Sequence, residues 1–497
     1  MKYISTRSAG GAAESGVSAA QAIKQGLAGD GGLFMPEELP ELSEDDLIKL
    51  CKLPYYERAA FVIAKFLSDY THDELLEDCR EAYSDARFPG GPAPLKNISS
   101  NIDVLELWHG PTAAFKDMAL QVMPRLLSRA LAKTGEKRDA YILVATSGDT
   151  GKAALEGYRD VDRVKIMVFY PVSGVSTIQK LQMATQEGSN VNVCAVSGNF
   201  DDAQNGVKRI FADRDAAAKL DAQGCFLSSA NSINWGRLVP QVVYYISAYC
   251  DMINNGTIIL GDEINIAVPT GNFGNIFAAY IAYAMGLPVH RFVCASNRNN
   301  ILTNFFETGI YDRNRMFYTT MSPSMDILIS SNLERLLYLI GGSERTALYM
   351  KQLSETGLYA VDSDIREQLE LKFSGAFCDE SETALTIKMI YENYNYLIDT
   401  HTAVGLNCAM RYNAISGDKR RMLVVSTASP YKFASSVYAA LTGNTADDDI
   451  AAPGMLAEYT GVEIPAPLRG IEDRPIRFRT VIEPADMLRE VLTNASE

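Results

Sequence analysis

Six short, unbroken apolar runs constrain most strongly what this chain can fold into. They occupy residues 141–146, 165–170, 192–196, 264–269, 291–295 and 422–426. Apolar residues follow one another in these runs instead of alternating with polar ones, as in strands covered on both faces. Helical spacing fills the stretches between them, so the expected fold class is α/β, with helices layered on mostly parallel sheets. At 497 residues the chain exceeds one ordinary core, and two or three domains are expected. Residues 1–86 read as helical from the apolar spacing in 45–51 and 58–67. The stretch Phe88-Pro89-Gly90-Gly91-Pro92-Ala93-Pro94 sustains neither a helix nor a central strand and marks a boundary. Residues 325–400 read as mainly helical, and the Pro- and Gly-rich tail from Gly443 as a wrap over an existing core.

Charge narrows the partners. Lys and Arg total 46 against 61 for Asp and Glu, a net charge of −15. Nucleic acid and anionic membranes bind through clustered cations, so neither is an expected partner. Residues 264–289 carry no charge, but Pro269, Gly271, Asn272, Gly274 and Asn275 interrupt them. They read as a buried strand and helix and not as a membrane span. Residues 1–16 lack the apolar core of a secretory signal. The eight cysteines are scattered without a C-x-x-C pair and histidines number four, which gives a zinc site little support. Reduced, buried thiols in a cytoplasmic protein are expected.

Three glycine-containing turns stand just before helices. In Gly271-Asn272-Phe273-Gly274-Asn275, glycine allows close backbone approach, so several N–H groups can converge on an anion at a helix N-terminus; an ordinary structural turn fits the local sequence nearly as well. The stretch Thr146-Ser147-Gly148-Asp149-Thr150-Gly151-Lys152 lacks the glycine spacing of a nucleotide P-loop. Its hydroxyls could hold a carboxylate or phosphate, or Ser147, Asp149 or Thr150 could simply cap a helix. The third, Trp108-His109-Gly110-Pro111-Thr112-Ala113-Ala114-Phe115-Lys116-Asp117, leads into an amphipathic helix with Pro124 as a kink. Lys116 falls in its first turn, where a cation opposes the helix dipole. Burial would leave its amine neutral and nucleophilic, although most lysines are simply solvated.

Together these segments resemble threonine synthase, a pyridoxal-phosphate enzyme of fold type II, in the branch with a long N-terminal region. The resemblance rests on H-G-P-T-x-x-F-K-D at 109–117, A-T-S-G-D-T-G at 145–151, N-S-I-N-W at 231–235, G-N-F-G-N at 271–275 and S-P-S-M-D-I-L-I-S-S-N-L-E-R at 322–335. G-L-A-G-D-G-G-L-F at 26–34 and, more weakly, G-V-E-I-P at 461–465 extend it over nearly the whole chain.

The resemblance implies that Lys116 carries pyridoxal 5′-phosphate as a Schiff base and serves as the acid/base of the reaction. It further implies that Gly271, Asn272, Phe273, Gly274 and Asn275 cradle the cofactor phosphate, that Thr427 faces the ring nitrogen, and that Asp149 lies beside the phenolic oxygen. An aspartate at that place must share a proton or repel the oxygen. Thr150, Asn231, Ser232 and Arg237 are implied to hold the phosphate of O-phospho-L-homoserine, with Thr146 and Ser147 at its carboxylate. Where the family pattern has Thr-Ala-His-Pro, Ser429 stands in place of the histidine, so no role of that histidine transfers. Four segments follow: a helical N-terminal domain (1–95), the start of a large domain bearing the lysine (96–135), a small mobile α/β domain (136–261), and the remainder of the large domain with its C-terminal wrap (262–497). No obligate protein partner is implied. A phospholyase or serine/threonine dehydratase of the same fold is the nearest alternative, and a non-catalytic cofactor-binding protein the alternative from another class.

Overall fold

The computed structural model describes residues 1–8, 16–146, 148–173 and 175–496. Two sheets organise it. The large sheet has six strands in the order Phe373–Phe377, Val289–Ser296, Ile264–Pro269, Met422–Ser426, Ile102–Glu106, Leu95–Ser99. The first five run parallel, and the last pairs antiparallel at one edge. The small sheet is parallel throughout, in the order Val481–Ile482, Val191–Val196, Val164–Pro171, Asp139–Ala145, Cys225–Ser228. Every residue of Ile264–Pro269 and of Met422–Ser426 is buried. Helices cover both faces of such strands, which is why their sequences run apolar without alternating.

The six runs expected to be strands are all strands, two of them, Ile264–Pro269 and Met422–Ser426, with the same ends. Other expectations need correction. Residues 1–86 are not helical throughout, because Tyr3–Ser5 pairs antiparallel with Phe34–Pro36 ahead of three helices. Residues 325–400 contain the strand Phe373–Phe377, which completes one edge of the large sheet. The helix after Lys116 is not one kinked rod. It ends as Asp117–Leu120, and Pro124 opens a second helix, Met123–Lys133, in the first turn where its missing N–H costs nothing.

Two segments lie elsewhere than the sequence places them. The helix Trp235–Asn254, counted above with the small domain, is buried along almost its entire length. It packs on the N-terminal helix Tyr55–Phe66 and on the helix Gly274–Met285. Arg58 anchors it, donating to Asp251 Oδ1 (2.6 Å) and Ser247 Oγ (2.8 Å). A helix buried all round belongs in a protein's centre. The C-terminal tail, counted with the large domain, returns to the small sheet. Val481–Ile482 adds its edge strand, and Met487, Val491 and Ala495 of the last helix join its apolar core. Among the described residues no helix is long and apolar enough to cross a membrane.

Candidate active site

The C-terminal ends of the central strands in the large sheet converge on Lys116. After Met422–Ser426 the chain continues through Thr427, and the segment before Lys116 is stitched to it. Phe115 N donates to Thr427 O (2.8 Å), Ser429 N donates to Ala113 O (3.0 Å), and Ala114 bridges Ala428. Lys116 is thereby fixed beside Thr427. Ala113 pays for this with a left-handed backbone, φ 57°, and such strain persists where surrounding structure over-determines it. Asp117 braces the same turn, accepting from Thr112 N (2.8 Å) and Thr112 Oγ1 (2.7 Å). Burial pushes its carboxyl up to about 6 despite those bonds.

The Lys116 side chain is 11% exposed, with Nζ 3.7 Å from Asp149 Oδ2 and 4.9 Å from the Phe115 ring centre. Burial lowers its pKa from the usual lysine value. Asp149 opposes that shift, and the charges of Lys432 and Arg237 add to it. Such an amine has a larger neutral, nucleophilic fraction. Beside it, the buried Thr427 hydroxyl has no hydrogen-bond partner among the described residues.

Gly271 through Asn275 form a second feature. The strand Ile264–Pro269 ends just before them and the 12-residue helix Gly274–Met285 begins within them. None of the backbone N–H groups from Gly271 to Ile276 donates a hydrogen bond within the described residues. Phe273, Gly274, Asn275 and Ile276 are nevertheless buried. Buried N–H groups are normally paired, so this row at a helix N-terminus is a prepared anion site. The loop carbonyls are turned away by segment 330–335. Ser330 Oγ donates to Gly271 O (2.6 Å), while Asn332 donates to Asn272 O from N (3.1 Å) and Nδ2 (2.9 Å). Asn332 is held in turn by the buried Arg335, which also donates to Ile233 O (2.6 Å) and Phe34 O (3.1 Å). Phe273 is left-handed, φ 64°, with its ring packed on Phe306 and Phe373. Gly271 leaves no room for a side chain, since a Cβ would meet Ser324 O at 2.7 Å. The Asn275 amide is anchored away, accepting from Tyr244 (2.5 Å) and Tyr245 (2.6 Å) hydroxyls.

Asp149 is the first residue of the helix Asp149–Tyr158 on the small sheet. It accepts from Gln179 Nε2 (2.9 Å) and pairs with the fully buried Lys432 (2.6 Å). Ser324 Oγ approaches at 3.4 Å, which links this carboxylate to the glycine loop. Burial works against its ionisation, yet the two lysines hold its carboxyl far below the usual carboxylate range. Its charge is met by Lys432 at 2.6 Å and Lys116 at 3.7 Å. No local signal in the sequence marks Lys432 as a site residue. His401 was missed as well. Its Nδ1 lies 2.7 Å from Asp399 Oδ2 and its Nε2 accepts from Ser324 N at 3.1 Å, steadying the segment beneath Gly271.

The remaining candidates divide. Arg237 is buried, donates to Ala230 O (2.6 Å) and leaves Nε without a partner among the described residues. Burial pushes its guanidinium down to about 10. Its carbonyl accepts from Gln241 Nε2 (2.7 Å), which in turn borders Gly274 of the loop. Ser232 Oγ accepts from Asn332 Nδ2 at 3.4 Å and so borders the glycine loop. The Thr146 hydroxyl accepts from Gly148 N (3.0 Å) and Gly151 N (2.9 Å). It caps the helix that Ser147, Asp149 or Thr150 could have capped, and only its proton is left for another partner. Thr150 is half-buried beside Asp149. Asn231 is exposed, and its hydrogen bonds are local. Ser147 lies outside the described residues.

A buried lysine of lowered pKa, an unspent hydroxyl beside it and a helix-terminal row of N–H groups unpaired among the described residues, on an α/β scaffold of fold type II, are the features a pyridoxal-phosphate site requires. The family model described as pyridoxal-phosphate dependent enzyme matches residues 90–428. Models for the threonine synthase N terminus and the threonine synthase C-terminal region match residues 2–83 and 402–491. The chain belongs to the threonine synthase family. The threonine synthase of Pseudomonas aeruginosa is 38% identical over 446 residues, which cover 88% of this chain and 90% of that protein. Threonine synthase-like 1 of Pongo abelii is 41% identical over 435 residues, 85% of this chain. The match spans 58% of that relative's own length. Among solved structures, PLP-bound threonine synthase from Brucella melitensis superposes with a TM-score of 0.88 at 36% identity, covering 100% of both chains. Yeast threonine synthase gives 0.88 at 33% identity, covering 100% of this chain and 98% of that one.

The residues present fit pyridoxal phosphate. An aldehyde suits the amine of Lys116, a phosphate suits the free N–H groups of Gly271–Asn275, and a ring nitrogen suits the spare hydroxyl of Thr427. Asn332→Ala tests the glycine loop. It leaves the Asn272 carbonyl with no side-chain donor and frees the loop to turn, at about 1–3 kcal/mol. Equilibrium titration should show pyridoxal phosphate binding weakened about 10- to 100-fold; unchanged affinity would mean that the loop holds its shape without Asn332.

Proposed function

We propose that this protein is a threonine synthase, converting O-phospho-L-homoserine and water to L-threonine and phosphate. The observation that carries the reading is a pair of separate anion sites around one buried lysine. The N–H row at Gly271–Asn275 serves the cofactor phosphate, and Arg237, with a free Nε, serves the substrate phosphate. An enzyme acting on serine or threonine needs only the first.

Pyridoxal phosphate supplies an electron-accepting ring that makes the carbon-bound hydrogens of the attached amino acid acidic. The chain supplies the rest. Lys116, tethered by the stitched 113–115 segment, takes the proton from the substrate Cα and can return it. The neutral Thr427 hydroxyl bonds the ring nitrogen without protonating it, which leaves control of the reaction's course to the protein. Arg237 offers a planar fork that neutralises the departing phosphate. Ser232 lines that pocket, with Thr150 and Asn231 at its mouth, and Thr146 and Ser147 bind the substrate carboxylate. Water must reach Cβ after phosphate leaves. Seven of the eight cysteines are buried free thiols, in keeping with a reducing cytoplasmic setting.

Incubation of the purified protein with O-phospho-L-homoserine tests the reading. Threonine and phosphate are expected in equal amounts. Formation of 2-oxobutyrate with phosphate would indicate a lyase, and cofactor binding without phosphate release a non-catalytic protein.

A further inference from the structure

Lys432 is a fully buried cation at the site, and the function above assigns it nothing. Its side chain is 0% exposed. Nζ has two partners, Asp149 Oδ1 at 2.6 Å and Thr112 O at 3.0 Å. The Asp149 pair crosses between the sheets. Asp149 opens a helix on the small sheet, whereas Lys432 lies in the short turn Pro430–Phe433 that follows the large-sheet strand Met422–Ser426. The second oxygen of Asp149 faces Lys116 at 3.7 Å. Two ammonium groups therefore compete for one carboxylate, and the geometry favours Lys432 by more than an ångström.

We propose that Lys432 is a positioning residue that claims Asp149 as its counter-ion and so leaves the amine of Lys116 free to capture the cofactor. The proposal rests on the reading that Lys116 is the capturing amine. Without Lys432 the buried carboxylate would turn its full charge on Lys116, the other cation it pairs with, and hold it protonated. With Lys432 in place the site keeps a surplus of positive charge. The charged groups facing Lys116 are Asp149, Lys432 and Arg237, and those acting with Lys432 are Asp149 and Asp117. Gln179 and Ser324 complete the shell around Asp149 with neutral donors. The same pair ties the small sheet to Thr112, in the turn that carries Lys116, so the electrostatic and geometric effects act on one atom.

The test follows capture of pyridoxal phosphate by full-length protein freed of cofactor, as visible absorbance from about pH 6 to about pH 10. Lys432→Gln keeps a donor for both partners but no charge, which favours a folded variant. Its capture profile should move to higher pH by about one unit, slowing capture at neutral pH about tenfold. Lys432→Arg, which preserves the cation, should retain the parental profile. Asp149→Asn combined with Lys432→Gln removes both charges and should move the profile back toward the parental position. Superimposable profiles for Lys432→Gln and the parent would overturn the proposal. So would equal slowing at every pH, which is the signature of lost packing alone, or a double variant no different from Lys432→Gln. Failure of the underlying reading looks different: Lys116→Ala would then capture the cofactor as the parent does.

Discussion

Lys116→Ala is expected to give a folded protein that never develops the visible absorption of lysine-bound pyridoxal phosphate. Its turnover of O-phospho-L-homoserine should fall by about 10³-fold or more, because both the anchor and the proton carrier are lost. The fold should survive, for a structural reason. Removing a buried ion-pair partner usually strands its mate, but here Asp149 keeps Lys432 and Gln179. The turn around Lys116 is held by the backbone bonds to Thr427 and Ala113 and by Asp117, none of which uses the lysine side chain. Denaturation midpoint and absorbance should therefore separate. If Lys116→Ala still developed a visible band that borohydride abolishes, another amine would be the anchor. Lys432, the nearest buried candidate, would be the first to examine.

Arg237→Ala should produce the second large effect. The buried guanidinium keeps one N–H for Ala230 O and leaves Nε unspent, an arrangement costly in the protein alone and repaid by an anion. Truncation should cost about 3–4 kcal/mol in kcat/KM for the phosphorylated substrate, or about 10²- to 10³-fold. Slow side reactions with serine or threonine, which lack the phosphate, should change far less. Arg237→Lys should recover only part of the loss, since an ammonium cannot reproduce the planar fork. Equal losses on both kinds of substrate would show that Arg237 supports the fold and does not meet the phosphate.

Much of the architecture was legible because it depends on neighbours in sequence. A strand buried on both faces must be apolar at each position, so the runs at 264–269 and 422–426 announced themselves to the residue. Strands without that signature escaped. Leu95–Ser99 is an edge strand with two exposed residues, and Phe373–Phe377 is an edge strand with a glycine at its centre. The helix Trp235–Asn254 could be read as a helix, but not as the central one. Its place depends on Arg58, Tyr244 and Tyr245 finding partners in segments far away in sequence.

The site divides in the same way. Lys116, Gly271–Asn275, Thr427 and Arg237 were named through the family resemblance; the structure joins Thr427 to the Lys116 turn and sets Arg237 against the glycine loop through Gln241. The S-P-S-M-D-I-L-I-S-S-N-L-E-R stretch was recognised without a role. Ser330, Asn332 and Arg335 prove to be the residues that turn the loop carbonyls away from the anion. The left-handed φ of Phe273 was invisible, because nothing local favours it. Packing against Phe306 and Phe373 imposes it.

By itself, then, the sequence determined the strands that are apolar throughout, the order of the motifs, and the lysine at their focus. The strands are written in residues a few positions apart, within reach of periodicity, whereas the motifs and their lysine were legible through the family resemblance they carry. Only the tertiary structure decided that Asp149 answers to Lys432, that His401 steadies Ser324, and that the C-terminal tail closes the small sheet. Those contacts join segments far apart in sequence, and a charge or a hydrogen bond is matched to its partner only when sheet register and helix packing bring the two within a few ångströms.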